Sequence, residues 1–264
     1  MAENVRLALA LSYLGGGFCG WQRQPRGRTV QGELEAALAR LYGREIRATG
    51  AGRTDAGVHA AAQVAHVDVP PAIPPAGVQA ALNTFLPPDL RVVAARRVPP
   101  SFHARASAVG KRYCYRLAWG APLPPWEALR CWLLPCRPDL HALLACLERV
   151  RGTHDFAAFA LAGHSGHGRR GTTRTITAAV LRARGRRASV VLEGDGFLRG
   201  MVRRVVGALV EVGRGARSEE WFSGLLAGPA DGPPAPTAPA CGLTLEKVLY
   251  GPGRAQAHAR LPRP

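Results

Sequence analysis

Lysine is nearly missing from this chain: of 35 basic side chains only Lys111 and Lys247 are lysines, and the others are arginines. Acidic residues are scarce as well, 18 Asp and Glu in 264 residues, which leaves a formal net charge of +17. A GC-rich genome accounts for writing Arg in place of Lys, but not for the positive excess. Arginine pairs bidentately with phosphate and stacks on bases, so the excess points to a polyanionic partner. Among the six cysteines, Cys19, Cys114, Cys131, Cys136, Cys146 and Cys241, none forms a C-x-x-C pair. A chain of this size does not need disulfide staples, so they read as reduced, in a cytoplasmic protein. Long apolar runs are lacking too. The charge-free stretch from Leu7 to Gln22 is broken by Gly15, Gly16, Gly17 and Gly20, so neither export nor membrane insertion is expected. No G-K-[ST] occurs, which removes a P-loop. Apolar residues, at 47%, suffice for a real core and exclude wholesale disorder.

Hydrophobic periodicity and turn residues predict a β-α-β-β-α-β order in the first half. Strands are expected at Val5–Tyr13, Glu45–Thr49, Gln63–Val69 and Leu90–Val98. Helices are expected at Val30–Tyr42, capped by Thr29 and stopped by Gly43, and at Ala76–Phe85. The second half repeats the order: a strand at Arg112–Trp119, a helix at Asp139–Arg149, and a hairpin of Thr175–Arg184 and Ala188–Glu193. Helices at Leu198–Val212 and Ser218–Leu226 follow, then a last strand at Leu243–Tyr250. The fold class expected is α+β, two ferredoxin-like units with antiparallel sheets forming a central cleft. The domains are expected at 1–105 and 106–251, followed by a basic Pro/Arg tail, 252–264, expected to be disordered. In each unit the helices lie on one sheet face, and the bare face is the surface that RNA-binding domains of this type use.

Three motifs bear on chemistry. Gly15, Gly17 and Gly20 spell G-x-G-x-x-G after a strand, but Pro25 sits where a dinucleotide-binding helix has its first turns. The segment reads as a glycine-rich loop. His164 and His167, with His154 nearby, have no carboxylate or cysteine at ligand spacing, so no metal site is expected. Arg169 and Arg170 make that loop basic and suited to phosphate. The third motif runs Gly50-Ala51-Gly52-Arg53-Thr54-Asp55-Ala56-Gly57-Val58-His59-Ala60 between two strands. A carboxylate in such a loop beside an arginine can act as nucleophile or base. Spacing alone equally allows Asp55 to cap a turn. The segment holds no second carboxylate, so a glycosidase-like acid/base pair is not indicated.

Gly52 to Ala60, G-R-T-D-A-G-V-H-A, resembles the catalytic loop of the tRNA pseudouridine synthase A family. Four further blocks resemble that family in order. They are Gly20-Trp21-Gln22-Arg23-Gln24 with Thr29-Val30-Gln31, Ser101 to Arg105 with Lys111 to Tyr115, Phe197 to Val206, and Ala238-Pro239-Ala240. Two departures stand out: Leu14, where the family usually has aspartate, and a stretch from Leu161 to Thr173 unusually rich in Gly and His.

The resemblance implies isomerisation of uridine to pseudouridine at positions 38, 39 and 40 in the anticodon arm of tRNA. The base is flipped out of its helix, and no cofactor is used. Asp55 is implied as the essential carboxylate, attacking C1′ or C6 or abstracting a proton. Tyr113 is implied to stack on the target base, with its hydroxyl placed to assist proton removal at C5. Arg203 is implied to pair with Asp55, and Arg53 to clamp a phosphate or orient the flipped nucleotide. Thr54, His59, Gln22 and Arg23 complete the expected substrate-binding set. A homodimer with one tRNA bridging both protomers is also implied. A helical wheel separates two neighbouring arginines: Arg203 flanks the apolar side, whereas Arg204 is expected on the solvated face. The second reading is a non-catalytic RNA-binding or chaperone protein that keeps the fold.

Overall fold

A computed structural model describes residues 3–161, 171–228 and 235–251. In chain order the elements are β1 (Val5–Tyr13), α1 (Val30–Tyr42), β2 (Thr49–Gly50), β3 (His59–Val69), α2 (Pro75–Phe85), β4 (Leu90–Arg97), β5 (Ala108–Trp119), α3 (Pro125–Ala128), β6 (Trp132–Leu134), α4 (Leu140–Arg149), β7 (Gly152–Asp155), β8 (Thr173–Arg184), β9 (Arg187–Gly194), α5 (Met201–Gly213), α6 (Glu219–Leu226) and β10 (Leu243–Tyr250). The class is mixed α+β with mostly antiparallel strands. The chain divides into two compact units, with the breaks at Val109/Gly110 and Thr244/Leu245. The first unit therefore takes the final strand from Leu245 onward, a strand the sequence reading placed in the second domain.

In the first unit the strand order is β4-β1-β3-β10, with β2 beside β3. β1 pairs antiparallel with β3, Val5 opposite Val69, and with β4, Tyr13 opposite Leu90. Leu7, Leu9 and Leu11 share one face of β1 by the two-residue period. They are buried together with Leu34 and Leu38 of α1 and Val78 and Leu82 of α2. Each such side chain contributes about 1.5–3 kcal/mol by leaving water. Thr29 caps α1 by accepting from the Gly32 N–H at 3.2 Å, and Gly43 ends it at φ 66°, a backbone shape glycine adopts without penalty. Residues 45–48, expected as a strand, form none. The Ala48 N–H donates to Glu35 Oε1 at 3.0 Å and its carbonyl accepts from Gln31 Nε2 at 3.1 Å. Side chains of α1 have taken the groups a strand ladder would use.

In the second unit the order is β5-β9-β8-β7, with the short β6 parallel to β5. Leu143 and Leu147 of α4, Val205, Val206 and Leu209 of α5, and Phe222 of α6 form its core with Phe156 and Phe159. Along the second half of the chain the order runs β5, α4, β8, β9, α5, β10, but α3, β6, β7 and α6 interrupt a strict repeat, and β10 from Leu245 belongs to the first unit. The stretch around His164 and His167, Arg169 and Arg170, and the tail from 252 lie outside the described residues. No helix among the described residues is long and apolar enough to cross a membrane, and none of the six cysteines is in a disulfide.

Candidate active site

The loop between β2 and β3 is held from several sides by the first unit. At its start the Ala51 N–H donates to the Val64 carbonyl at 2.7 Å. The Gly52 carbonyl accepts from Gln63 Nε2 at 2.9 Å. Thr54 is fixed twice: its carbonyl accepts from the Trp21 N–H at 3.1 Å, and its Oγ1 shares a buried 2.8 Å bond with the Tyr13 hydroxyl. Burial pushes the Tyr13 phenol far above its ordinary range, so it remains protonated. The Gly57 N–H reaches the Phe18 carbonyl at 3.3 Å, and Val58 N–H closes a turn onto the Asp55 carbonyl at 3.1 Å. Gly57 occupies the third position of that turn at φ 79°, as a positive-φ turn requires. The closing bond is a main-chain one that any residue at 55 can accept, so the turn itself does not call for a carboxylate.

Packing decides what the loop presents. Ala51, Thr54 and Val58 are buried, Arg53 and Ala56 are exposed, and Asp55 is half-buried. Neither charged residue is buried: both stay within reach of solvent, beside the exposed methyl of Ala56. The glycine-rich segment after β1 is the wall against which the loop is built. A Cβ on Gly15 would overlap the Val58 carbonyl, and one on Gly20, itself at φ 93°, would lie 2.7 Å from the Thr54 oxygen. Gly50 is shut against the Trp21 ring in the same way. Two of the glycines that mimic a nucleotide motif, Gly15 and Gly20, are therefore spacing devices for the loop. Sequence reasoning missed this role, together with Tyr13 and Gln63. The available signal was Gln63, a polar residue within an apolar strand, which the structure buries completely.

Of the other expected contacts in this unit, Thr54 and His59 lie inside. His59 is 3% exposed and its Nδ1 accepts from the Gly15 N–H at 2.9 Å, which ties the loop's end to its wall. Gln22 and Arg23 are exposed but engaged with α1. Gln22 Nε2 donates to Gln31 Oε1 at 2.7 Å, as does the Arg23 N–H at 3.0 Å, and the Arg23 guanidinium pairs with Glu35 at 3.4 Å.

In the second unit Tyr113 lies on β5, 8% exposed, edge-on to Phe197 with ring centroids 5.0 Å apart. Two residues on, Tyr115 is fully buried on the same face and donates to the Pro239 carbonyl at 2.7 Å. Arg203, in the first turn of α5, donates from Nε to the Ala238 carbonyl at 2.8 Å, while the Ala238 N–H returns a bond to the Arg203 carbonyl at 3.1 Å. Gly207 allows this approach, since a Cβ there would meet the Pro236 carbonyl.

Arg204 corrects the helical-wheel expectation. It is not on a solvated face. Its Nη1 donates to the Ala160 carbonyl at 2.8 Å and the Ala158 carbonyl at 3.4 Å, and its Nε is buried without a partner. Burial lowers its pKa from the usual guanidinium value. The reason is that residues 157–160 cover this side of α5, a short 3-10 turn that leaves no periodic trace in sequence. Among the described residues no three His, Cys, Asp or Glu gather as a metal site, and His154 Nε2 bonds the Arg151 carbonyl at 2.9 Å.

Comparison with known proteins bears on the same residues. A family model described as tRNA pseudouridine synthase matches residues 9–105 and 147–251. The chain is similar to tRNA pseudouridine synthase A 1 of Desulfotalea psychrophila, 41% identical over 252 residues that cover 92% of this chain and 99% of the relative. It is also similar to tRNA pseudouridine synthase A of Solidesulfovibrio magneticus, 46% identical over 256 residues, 94% of this chain and 92% of the relative. Among solved structures, an archaeal box H/ACA sRNP Nop10–Cbf5 complex gives a TM-score of 0.32 at 12% identity, over 78% of this chain and 44% of that one. That likeness is too slight to build on. A family match over both halves, together with these identities across nearly the whole length, shows that the chain belongs to the tRNA pseudouridine synthase A family, isomerases that convert uridine to pseudouridine.

Proposed function

We propose that this chain isomerises uridine at positions 38, 39 and 40 in the anticodon arm of tRNA, with Asp55 as the essential carboxylate. The observation that carries the reading is the braced loop of the first unit, in which Thr54, Gly57 and Val58 are tied down while Arg53 is exposed and Asp55 half-buried. The reaction breaks C1′–N1, forms C1′–C5, and moves a proton from C5 to N1. Nothing is oxidised or reduced, so the chemistry asks for a placed carboxylate and a flipped base rather than a redox cofactor. Flipping costs a few kcal/mol, and phosphate contacts and aromatic stacking offset it. Tyr113 stacks on the uracil. Arg203 balances the Asp55 charge, its guanidinium held by Ala238. Arg53 contacts the nucleotide's phosphate. The enzyme works in the cytoplasm as a homodimer.

The test is release of tritium from anticodon-arm uridines labelled at C5. The parent chain releases it with multiple turnovers. A chain that binds tRNA and releases none is the RNA-binding protein of the second reading.

A further inference from the structure

A second basic feature of the second unit has no part in the chemistry above. The antiparallel register of β5, β9 and β8 sets Arg116 opposite Ser189 and Ser189 opposite Arg182, and one step along it sets Ala118 opposite Arg187 and Arg187 opposite Arg184. Residues two apart share a face, so Arg116, Arg182, Arg184 and Arg187 all project from one side of this sheet. The other side is occupied by Tyr115, Leu117 and Val190, each fully buried. The segment after β5 folds over the arginine side. Arg187 Nη2 bonds Glu127 of α3, and Trp126 and Arg130 join the wall of a cavity of about 500 Å3. This size lies within the range of ligand-binding clefts.

Its chemistry is one-sided. Five arginines line it against one carboxylate, that of Glu127, which is taken up by Arg187. Arg130, Arg182 and Arg184 are exposed and have no carboxylate partner among the described residues. Beside them the Trp126 indole is 71% exposed. An open aromatic plane among guanidinium groups suits a nucleobase and its flanking phosphates.

We propose that this arginine-walled cavity is an RNA-docking site, in which Arg182, Arg184 and Arg130 neutralise backbone phosphates and Trp126 stacks on a base. The inference takes its RNA from the tRNA reading above, but assigns these residues to binding and not to chemistry. The test compares the full chain with Arg182→Ala/Arg184→Ala, measuring tRNA affinity across a salt series together with pseudouridine formation. Losing two phosphate contacts makes the log–log salt slope shallower by about 1.5 and raises Kd about tenfold or more. KM rises accordingly, and kcat at saturating tRNA is unchanged. Arg182→Lys/Arg184→Lys keeps the parent slope. Arg40→Ala/Arg44→Ala removes the same net charge elsewhere and leaves the slope as it was. Trp126→Ala weakens binding without altering the slope, and Trp126→Phe restores it.

Parent-like affinity and slope in Arg182→Ala/Arg184→Ala overturn the proposal. So does a change in the sedimentation of the RNA-free chain with RNA affinity intact, which makes the surface a contact between copies. A parent chain that forms no pseudouridine at all defeats the tRNA reading instead, an outcome separate from either.

Discussion

The loop that carries Asp55 and the N-terminal end of α5 are both fixed in place, but by opposite means. In the first, backbone meets backbone: glycines at 15 and 20 let the chain come so close that a methyl group would collide with a carbonyl. In the second, long side chains reach across, Arg203 to Ala238 and Arg204 to Ala158 and Ala160. Close approach of main chain leaves no adjustable part, so any added atom must displace a carbonyl. An arginine brace can be shortened or removed and leaves unmet hydrogen bonds rather than a collision. The first region is therefore expected to fail by steric strain, the second by lost polar contacts.

The largest expected effect touches neither kind of brace. Asp55→Asn keeps the turn, since its closing bond is main-chain, and removes only the carboxylate. Turnover is expected to vanish, with melting temperature unchanged and tRNA affinity within about tenfold, that is ~1.4 kcal/mol. Near-normal turnover in this variant would return Asp55 to a turn-forming role.

Next comes Gly20→Ala. The left-handed backbone alone costs a non-glycine residue about 1–2 kcal/mol, and the contact with the Thr54 oxygen adds to it. Urea unfolding should show a loss above 2 kcal/mol, accompanied by slower turnover, because the displaced carbonyl belongs to the residue before Asp55. A loss confined to stability would show that the loop adjusts without moving its carboxylate.

The arginine pair separates stability from activity within one turn of α5. Arg204→Ala leaves the Ala158 and Ala160 carbonyls without their donor, at about 1–3 kcal/mol of stability, with turnover of the folded enzyme within about threefold. Arg203→Ala is expected to cut turnover at least tenfold while unfolding at a similar denaturant concentration to the parent. Equal effects on turnover would dissolve the distinction between them.

The smallest expected effect is a pH dependence in the first unit. Burial, with Arg6 and His103 nearby, lowers the His66 pKa from 6.5 to about 4, against a weaker opposing pull from Asp68. Its Nδ1 accepts from the Ala104 N–H at 3.1 Å. Between these values the unfolded chain binds the proton and the folded chain does not, so stability falls as pH drops from 6.5 towards 4 and His66 adds nothing further below that. Asp68 and Asp89, held below 3.8 by Arg6 and Arg28 respectively, lose their contribution only at lower pH. His66→Gln, which can still accept from Ala104, should flatten the upper part of the profile and leave the acid limb unchanged.

The sequence made some of this visible. Thr29 and Gly43 mark both ends of α1 because capping uses local chemistry, and β10 occupies Leu243–Tyr250 as expected. Other elements had no local signature. β6 and β7, of three and four residues, are too short to show a period. The strand expected at 45–49 was undone by Gln31 and Glu35, residues one turn of helix apart whose reach to Ala48 depends on tertiary packing. Arg204 was misread for a related reason: a wheel shows which face of a helix is apolar, not which irregular segment will cover a polar one. At the site, the motif around Asp55 was legible as a block, but its supports were not. Tyr13 looks like an ordinary strand residue until the loop is laid against it, and Gln63 stands out only as a polar residue in an apolar strand.

The two bonds at Thr54 also bear on rate. Ordering a flexible loop costs about 1–2 kcal/mol for each backbone residue fixed, and a loop that closed only over its substrate would draw that cost from binding at every encounter. Here the segment next to Asp55 is already anchored through Tyr13 and Trp21. The entropy is lost once, when the polypeptide folds. In the mechanism proposed above, binding free energy from the RNA is then left for unstacking the uridine, and the carboxylate meets it at a high effective concentration.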